Sequence, residues 1–112
     1  MKRIIFIFLT LAFSLSVCAQ TRASGSGLIT SMYGQSFSGN GILLFTTETQ
    51  SNLTSCASSK RFSMVNSNNG GQLQIALAMM AFAANKKVYI HGWNDCTTWS
   101  DSQRVDYILV NR

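Results

Sequence analysis

The chain has 112 residues, with nine Lys and Arg against four Asp and Glu, and three cysteines. That length accommodates one small domain. The basic residues are scattered along it rather than gathered into a stripe with interleaved aromatics, a pattern that speaks against nucleic-acid binding.

The chain begins MKRIIFIFLTLAFSLSVCAQ. Lys2 and Arg3 make a positive start, Ile4 to Val17 is apolar and uncharged, and Val17-Cys18-Ala19 offers a small-residue cleavage site. This is the pattern of a secretory signal peptide over residues 1–19, with a mature domain over 20–112 and a secreted or periplasmic location. The apolar run falls short of the roughly 20 residues that cross a bilayer, so no membrane span is expected in the mature chain. Acylation at Cys18 is a weaker reading, because Val17 precedes it. Cleavage leaves seven basic residues against four acids, and it removes one cysteine. Cys56 and Cys96 remain as an even pair in an oxidising compartment and are expected to bridge. Closing that span contributes about 4 kcal/mol in the chain-entropy model.

Thr21 to Ser26 is polar and is expected to be flexible. Residues 27–33 (GLITSMY) alternate as a first strand, residues 34–41 (GQSFSGNG) read as a turn-rich break, and residues 42–47 (ILLFTT) as a second strand. Glu48 to Ser55 reads as a polar loop carrying the sequon Asn52-Leu53-Thr54, which counts only in a eukaryotic secretory route. Phe62 to Val65 suits a short third strand. Asn68 or Asn69 can cap the helix predicted over Gln72 to Ala84, which holds Ala, Leu, Met and Gln but no Gly or Pro. At about 100° per residue, Leu73, Ala76, Leu77, Met80 and Ala84 share one face, while Ile75, Met79 and Phe82 gather nearly opposite. Two apolar stripes imply cover on both sides, by the protein's own sheet and by another subunit, with Ile75, Met79 and Phe82 as the candidate oligomer interface. Val88 to Trp93 is a fourth strand and Arg104 to Val110 a fifth, the latter with Val105, Tyr107 and Leu109 expected on one face. The order βββαββ, mainly β with one helix, fits a five-stranded OB-fold-like Greek-key barrel. A sheet crossed by one helix is the alternative.

Residues able to do chemistry are few. His91 is the single histidine and has no partner pattern, no Gly-x-Ser-x-Gly elbow exists, and the two mature cysteines are committed to each other. Asp95 and Asp101 could face one another across a loop, but paired-carboxylate chemistry also needs a cleft. One His, two Asp and a bridged Cys match no metal-ligand spacing. No catalytic residue, metal or cofactor is therefore expected. Carbohydrate binding is better supported, since Tyr33, Tyr89, Trp93 and Trp99 could stack on a pyranose ring while Ser, Asn and Asp bond its hydroxyls. Trp99 is expected to be core packed beside the disulfide, and Trp93 is open to either role.

These features together resemble the B subunits of AB5-type bacterial toxins, of the subtilase-cytotoxin and typhoid-toxin kind. The matching stretches are Ser26-Gly27-Leu28-Ile29-Thr30, Ser55-Cys56-Ala57 and residues 76–90 (ALAMMAFAANKKVYI). Cys96 to Asp101 followed by Val105 to Ile108 is similar to the ending of small exported relatives found without a toxin partner. The resemblance implies an OB-fold, a homopentamer with its helices lining the centre, a glycan ligand and a toxin A subunit as partner. Ser26 matches the family's sugar-holding strand serine, so the implied glycan site is Ser26 with aromatics near Tyr33 and Trp93. The family's tyrosine after the fourth strand is replaced near Gly92, its second-strand cysteine near Phe45, and its C-terminal extension is absent. A structural or accessory domain without a sugar site, using its helix to meet a different protein, is the rival expectation.

Overall fold

The computed structural model describes residues 21–112. The signal-peptide assignment and Cys18 lie outside the described residues. Five strands and one helix follow in the order β1 (Ser24–Phe37), β2 (Asn40–Ser51), β3 (Phe62–Val65), α1 (Asn69–Ala83), β4 (Val88–Gly92) and β5 (Gln103–Val110). The strands close into a barrel in the order β1-β2-β3-β5-β4, because β1 pairs with β2 along one edge and with β4 along the other. This is the mainly β, βββαββ arrangement expected from the sequence and is consistent with an OB-like barrel; the closure sets aside an open sheet.

The first two strands are longer than their alternation predicts. Residues 34–41 are not a broad loop: β1 runs to Phe37, and only Ser38 and Gly39 turn, with φ of 52° and 80°. Two consecutive positive φ values make the tight hairpin turn whose twist matches the flanking strands. At the other end, Glu48 to Ser51 are strand rather than loop, since Ser24 to Ser26 pair with Thr49 to Ser51. β1 carries register shifts between Ser26 and Ser31, and there the Leu28 N–H donates to Glu48 Oε1 at 2.8 Å. The carboxylate takes a backbone donor that the bulge removes from the ladder.

The core is filled by Ile29, Leu43, Phe45, Phe62, Met64, Val88, Ile90, Val105 and Ile108. Phe45 and Phe62 stack with ring centroids 5.5 Å apart. Gly25 passes directly over this pair; a Cβ there would lie 2.6 Å from the Phe62 ring, so only a glycine lets β1 come this close.

The helix begins at an Asn68 cap, whose side chain accepts the Gly71 N–H at 2.7 Å. It ends with Asn85 at φ 52°, the Lys86 N–H returning to the Ala81 carbonyl at 2.9 Å. That is a left-handed stop with its overlapping hydrogen bond, and it needs no help from Lys86 or Lys87 charge. The two predicted stripes are redistributed. Ala78 and Ala81 are buried, and Ile75 and Leu77 pack beside them on the core, so the barrel takes a narrow, small-residue face. Ile75 therefore faces the barrel and not a partner, which corrects its place in the candidate interface. Leu73, Met79, Met80 and Phe82 are exposed.

The Cys56–Cys96 bridge is present, with Cα atoms 6.1 Å apart. It joins the loop before β3 to the loop between β4 and β5. Gln103, fully buried, ties the same loops together: its Oε1 accepts from the Thr54 N–H at 3.0 Å and from the Thr54 hydroxyl, and its Nε2 donates to the Trp93 carbonyl.

Candidate functional site

Where β2, β1, β4 and β5 lie side by side, their outward residues line up in two rungs. Ser51, Ser24, His91 and Tyr107 form one, each the register partner of the next; Thr49, Ser26, Tyr89 and Leu109 form the other. The intervening Gly25, Ile90 and Ile108 point inward and are buried, which is the period-2 alternation that turns the rung residues outward. Directly opposed Cβ atoms on neighbouring strands are about 5 Å apart, so hydroxyls from β1 and β2 abut rings from β4 and β5. The His91 and Tyr107 rings stack at 4.8 Å and 11°, and Tyr89 lies 6.4 Å from Tyr107. Tyr107 and Leu109 remain about half exposed, at 46% and 52%.

A bulge in β5 creates this surface. His91 pairs with Tyr107 but Gly92 pairs with Val105, so Asp106 is an extra residue. The shift reverses the alternation expected for the fifth strand: Val105 stays inside, while Tyr107 and Leu109 swing out. Asp106 then reaches His91, its Oδ2 lying 3.1 Å from Nδ1. His91 thus has the partner that its sequence context did not show. In the tautomer that carries its proton on Nδ1, the ring donates to Asp106 and Nε2 is an acceptor. Ser24 is His91's register partner, but no hydrogen bond joins its hydroxyl to the ring.

Of the residues predicted for a sugar site, Ser26 and Tyr89 belong to this platform. Tyr33 lies seven residues further along β1, with the Arg61 guanidinium 5.1 Å from its ring centroid. Trp93 is half-buried and flanked by Arg22 at 4.5 Å and Arg104 at 5.0 Å. Each ring thus carries a cation–π contact, two for Trp93 and one for Tyr33, which remains exposed. Trp99 is not core. It is half-buried, lies edge-on to Phe37 of the hairpin tip at 6.2 Å, and shares a shallow cleft with Cys96. A tryptophan in the loop between β4 and β5, beside a long hairpin, meets an exposed aromatic rather than the barrel interior.

Asp95 and Asp101 do not face one another. Asp95 takes Arg104 through two contacts, at 2.7 and 2.6 Å, and Asp101 takes Arg61 at 2.9 and 3.1 Å. The Arg104 hydrogen bonds hold the Asp95 carboxyl well below the usual carboxylate range, helped by the Thr97 N–H and hydroxyl. Asp101 is lowered by the Ser102 hydroxyl and then by Arg61. Both acids are loop fasteners. Among the described residues, no group of three His, Cys, Asp or Glu is placed to hold a metal ion, and no helix is long and apolar enough to cross a membrane.

No family model matches this chain, and neither the curated proteins nor the solved structures yield a match.

Proposed function

We propose that this protein is an exported, non-enzymatic binding module that presents the β1-β4-β5 platform to glycans and assembles through its helix. The observation that carries the reading is the pair of rungs in which Ser24, Ser26, Thr49 and Ser51 lie beside Tyr89, His91 and Tyr107. Sugars present both an apolar C–H face and a rim of hydroxyls, and a ring bordered by side-chain hydroxyls complements both. The likeness of residues 26–30 to the toxin B subunits points to the same strand. The helix supports the second half of the proposal. From Gly70 to Ala84 it carries no charge, and Leu73, Met79, Met80 and Phe82 are exposed on it. Such a patch marks an interface. A second copy of the chain is its simplest cover, in a ring with the helices inward; an enzymatic toxin subunit would be a further partner.

A glycan array is the test. Binding to a defined sugar class is expected, reduced about tenfold or more by Tyr107→Ala and by Ser26→Val, the scale of one lost stacking or hydrogen-bond contact. Binding to no glycan, or binding indifferent to both substitutions, refutes the lectin reading. Light scattering tests the assembly: an oligomer that Met79→Glu dissociates is expected. A monomeric wild type leaves the same uncharged helix face to a different protein, which is the accessory-domain reading.

A further inference from the structure

β3 and β5 run parallel but pair only through Phe62 with Gln103 and Ser63 with Arg104. Beyond those two pairs a cavity of about 300 Å³ opens between the strands, bounded by the first turns of α1 and by the loop after β4. Asn68, Gln74, Trp93, Thr98, Arg104 and Asp106 are among its lining residues. We propose that this slot is a second binding site, for a neutral, hydroxyl-rich molecule the size of one pyranose ring.

The charge of the lining argues for neutrality. Arg104 is held in two contacts by Asp95, and the Asp106 carboxylate is held by His91. A charged ligand would have to dismantle one of these pairs to find its own, whereas a hydroxyl can join them. The remaining polar side chains are the amides of Asn68 and Gln74 and the hydroxyls of Ser63 and Thr98, the Ser63 hydroxyl donating to the Gln103 carbonyl at 3.2 Å. Gln74 Nε2 donates to the Asp106 carbonyl at 2.6 Å, which directs its Oε1, and Asn68 Oδ1 is fixed on the Gly71 N–H. Positioned acceptors and donors lining one cavity suit the hydroxyls of one molecule. Trp93, held by cation–π contacts with Arg22 and Arg104, supplies a wall. The slot stays open because the helix starts without side chains at Gly70 and Gly71. A Cβ at Gly71 would fall 1.9 Å from the Val65 carbonyl oxygen, so that turn lies as close to β3 as backbone permits. Its volume lies at the lower end of the roughly 300–1,000 Å³ of ligand pockets, enough for one ring and not for a chain.

The site touches the outer platform only through Asp106, so the two can be tested apart. The probes are methyl α-mannoside, methyl β-galactoside and, as the charged counterpart, methyl β-glucuronide, titrated into the isotope-labelled protein and followed by NMR. Millimolar neutral glycoside should move the Trp93 indole N–H and the Gln74 side-chain amide. Gln74→Leu and Thr98→Val should each weaken that response about tenfold, as expected when a ligand hydroxyl loses its partner, while Ser26→Val, on the far strand of the platform, leaves it intact. Absence of a response at Trp93 and Gln74 to both neutral probes overturns the proposal. So does a stronger response to the glucuronide, or loss of the response in Ser26→Val.

Discussion

Replacing Gln103 by Leu keeps the side-chain volume and removes the polar hub of the loop region. In the native barrel this amide accepts from the Thr54 N–H and hydroxyl and donates to the Trp93 carbonyl, from a fully buried position. The Thr54 hydroxyl can turn towards water, but the Thr54 N–H and the Trp93 carbonyl are stranded. Each stranded buried group costs about 1–3 kcal/mol, and with both only part-buried the expected loss is about 3 kcal/mol. A small domain has roughly 5 kcal/mol to lose, so the melting temperature should fall by about 12–24 °C. Urea and thermal unfolding followed by circular dichroism measure this directly. A second variant assigns the loss to its cause. Gln103→Glu keeps the acceptor for Thr54 but sets a carboxylate against the Trp93 carbonyl at neutral pH. Burial raises the pKa of such a carboxyl above its unfolded value, so this variant should regain stability, relative to wild type, as the pH falls towards 5 and the protonated group donates again. A loss below about 1 kcal/mol in the Leu variant would refute the hub. So would a Glu variant whose deficit is independent of pH.

The remaining expectations concern the fastenings around the same loops. Reducing Cys56–Cys96, or substituting both residues by Ala, should lower stability by about 4 kcal/mol for a sequence separation of 40, read as a shift in urea midpoint with and without reductant. Asp95 is held by Arg104 with its carboxyl pKa below the unfolded value, so its contribution is present above pH ~4 and is lost as the pH falls further. Because the pair is about one-third exposed and solvent-screened, Asp95→Asn should cost no more than about 1 kcal/mol at pH 7 and flatten the acid limb of the stability–pH curve; an unchanged acid limb would show the pair to be idle.

How far the sequence discloses the protein depends on whether each feature is local or made by register. The helix, the short third strand, the inward Val88 and Ile90 and the cysteine pair are each legible because a period, a cap or a count declares them within a few residues. β1 is not. Its glycines and serines have poor strand propensity, and Ser24 to Gly27 are strand because β2 and β4 lie on either side with donors and acceptors to match. The helix faces were misjudged for a related reason. Apolar periodicity marks what can be buried, but the barrel end offers only a narrow seat, and Ala78 and Ala81 fit it better than the bulkier Met79, Met80 and Phe82.

The platform is the clearest case, because one extra residue decides it. Without the bulge at Asp106, strict alternation would carry Tyr107 and Leu109 inward with Val105 and turn Ile108 out to the surface. With the bulge, two large apolar side chains are left on the surface at the cost of an interrupted ladder. A barrel built for stability alone gains nothing from that exchange. The exposure of Tyr107 and Leu109 next to Ser24, Ser26 and Tyr89 is what a ligand surface requires, and for this reason the β5 bulge, more than either tryptophan, is where a functional claim on this protein rests.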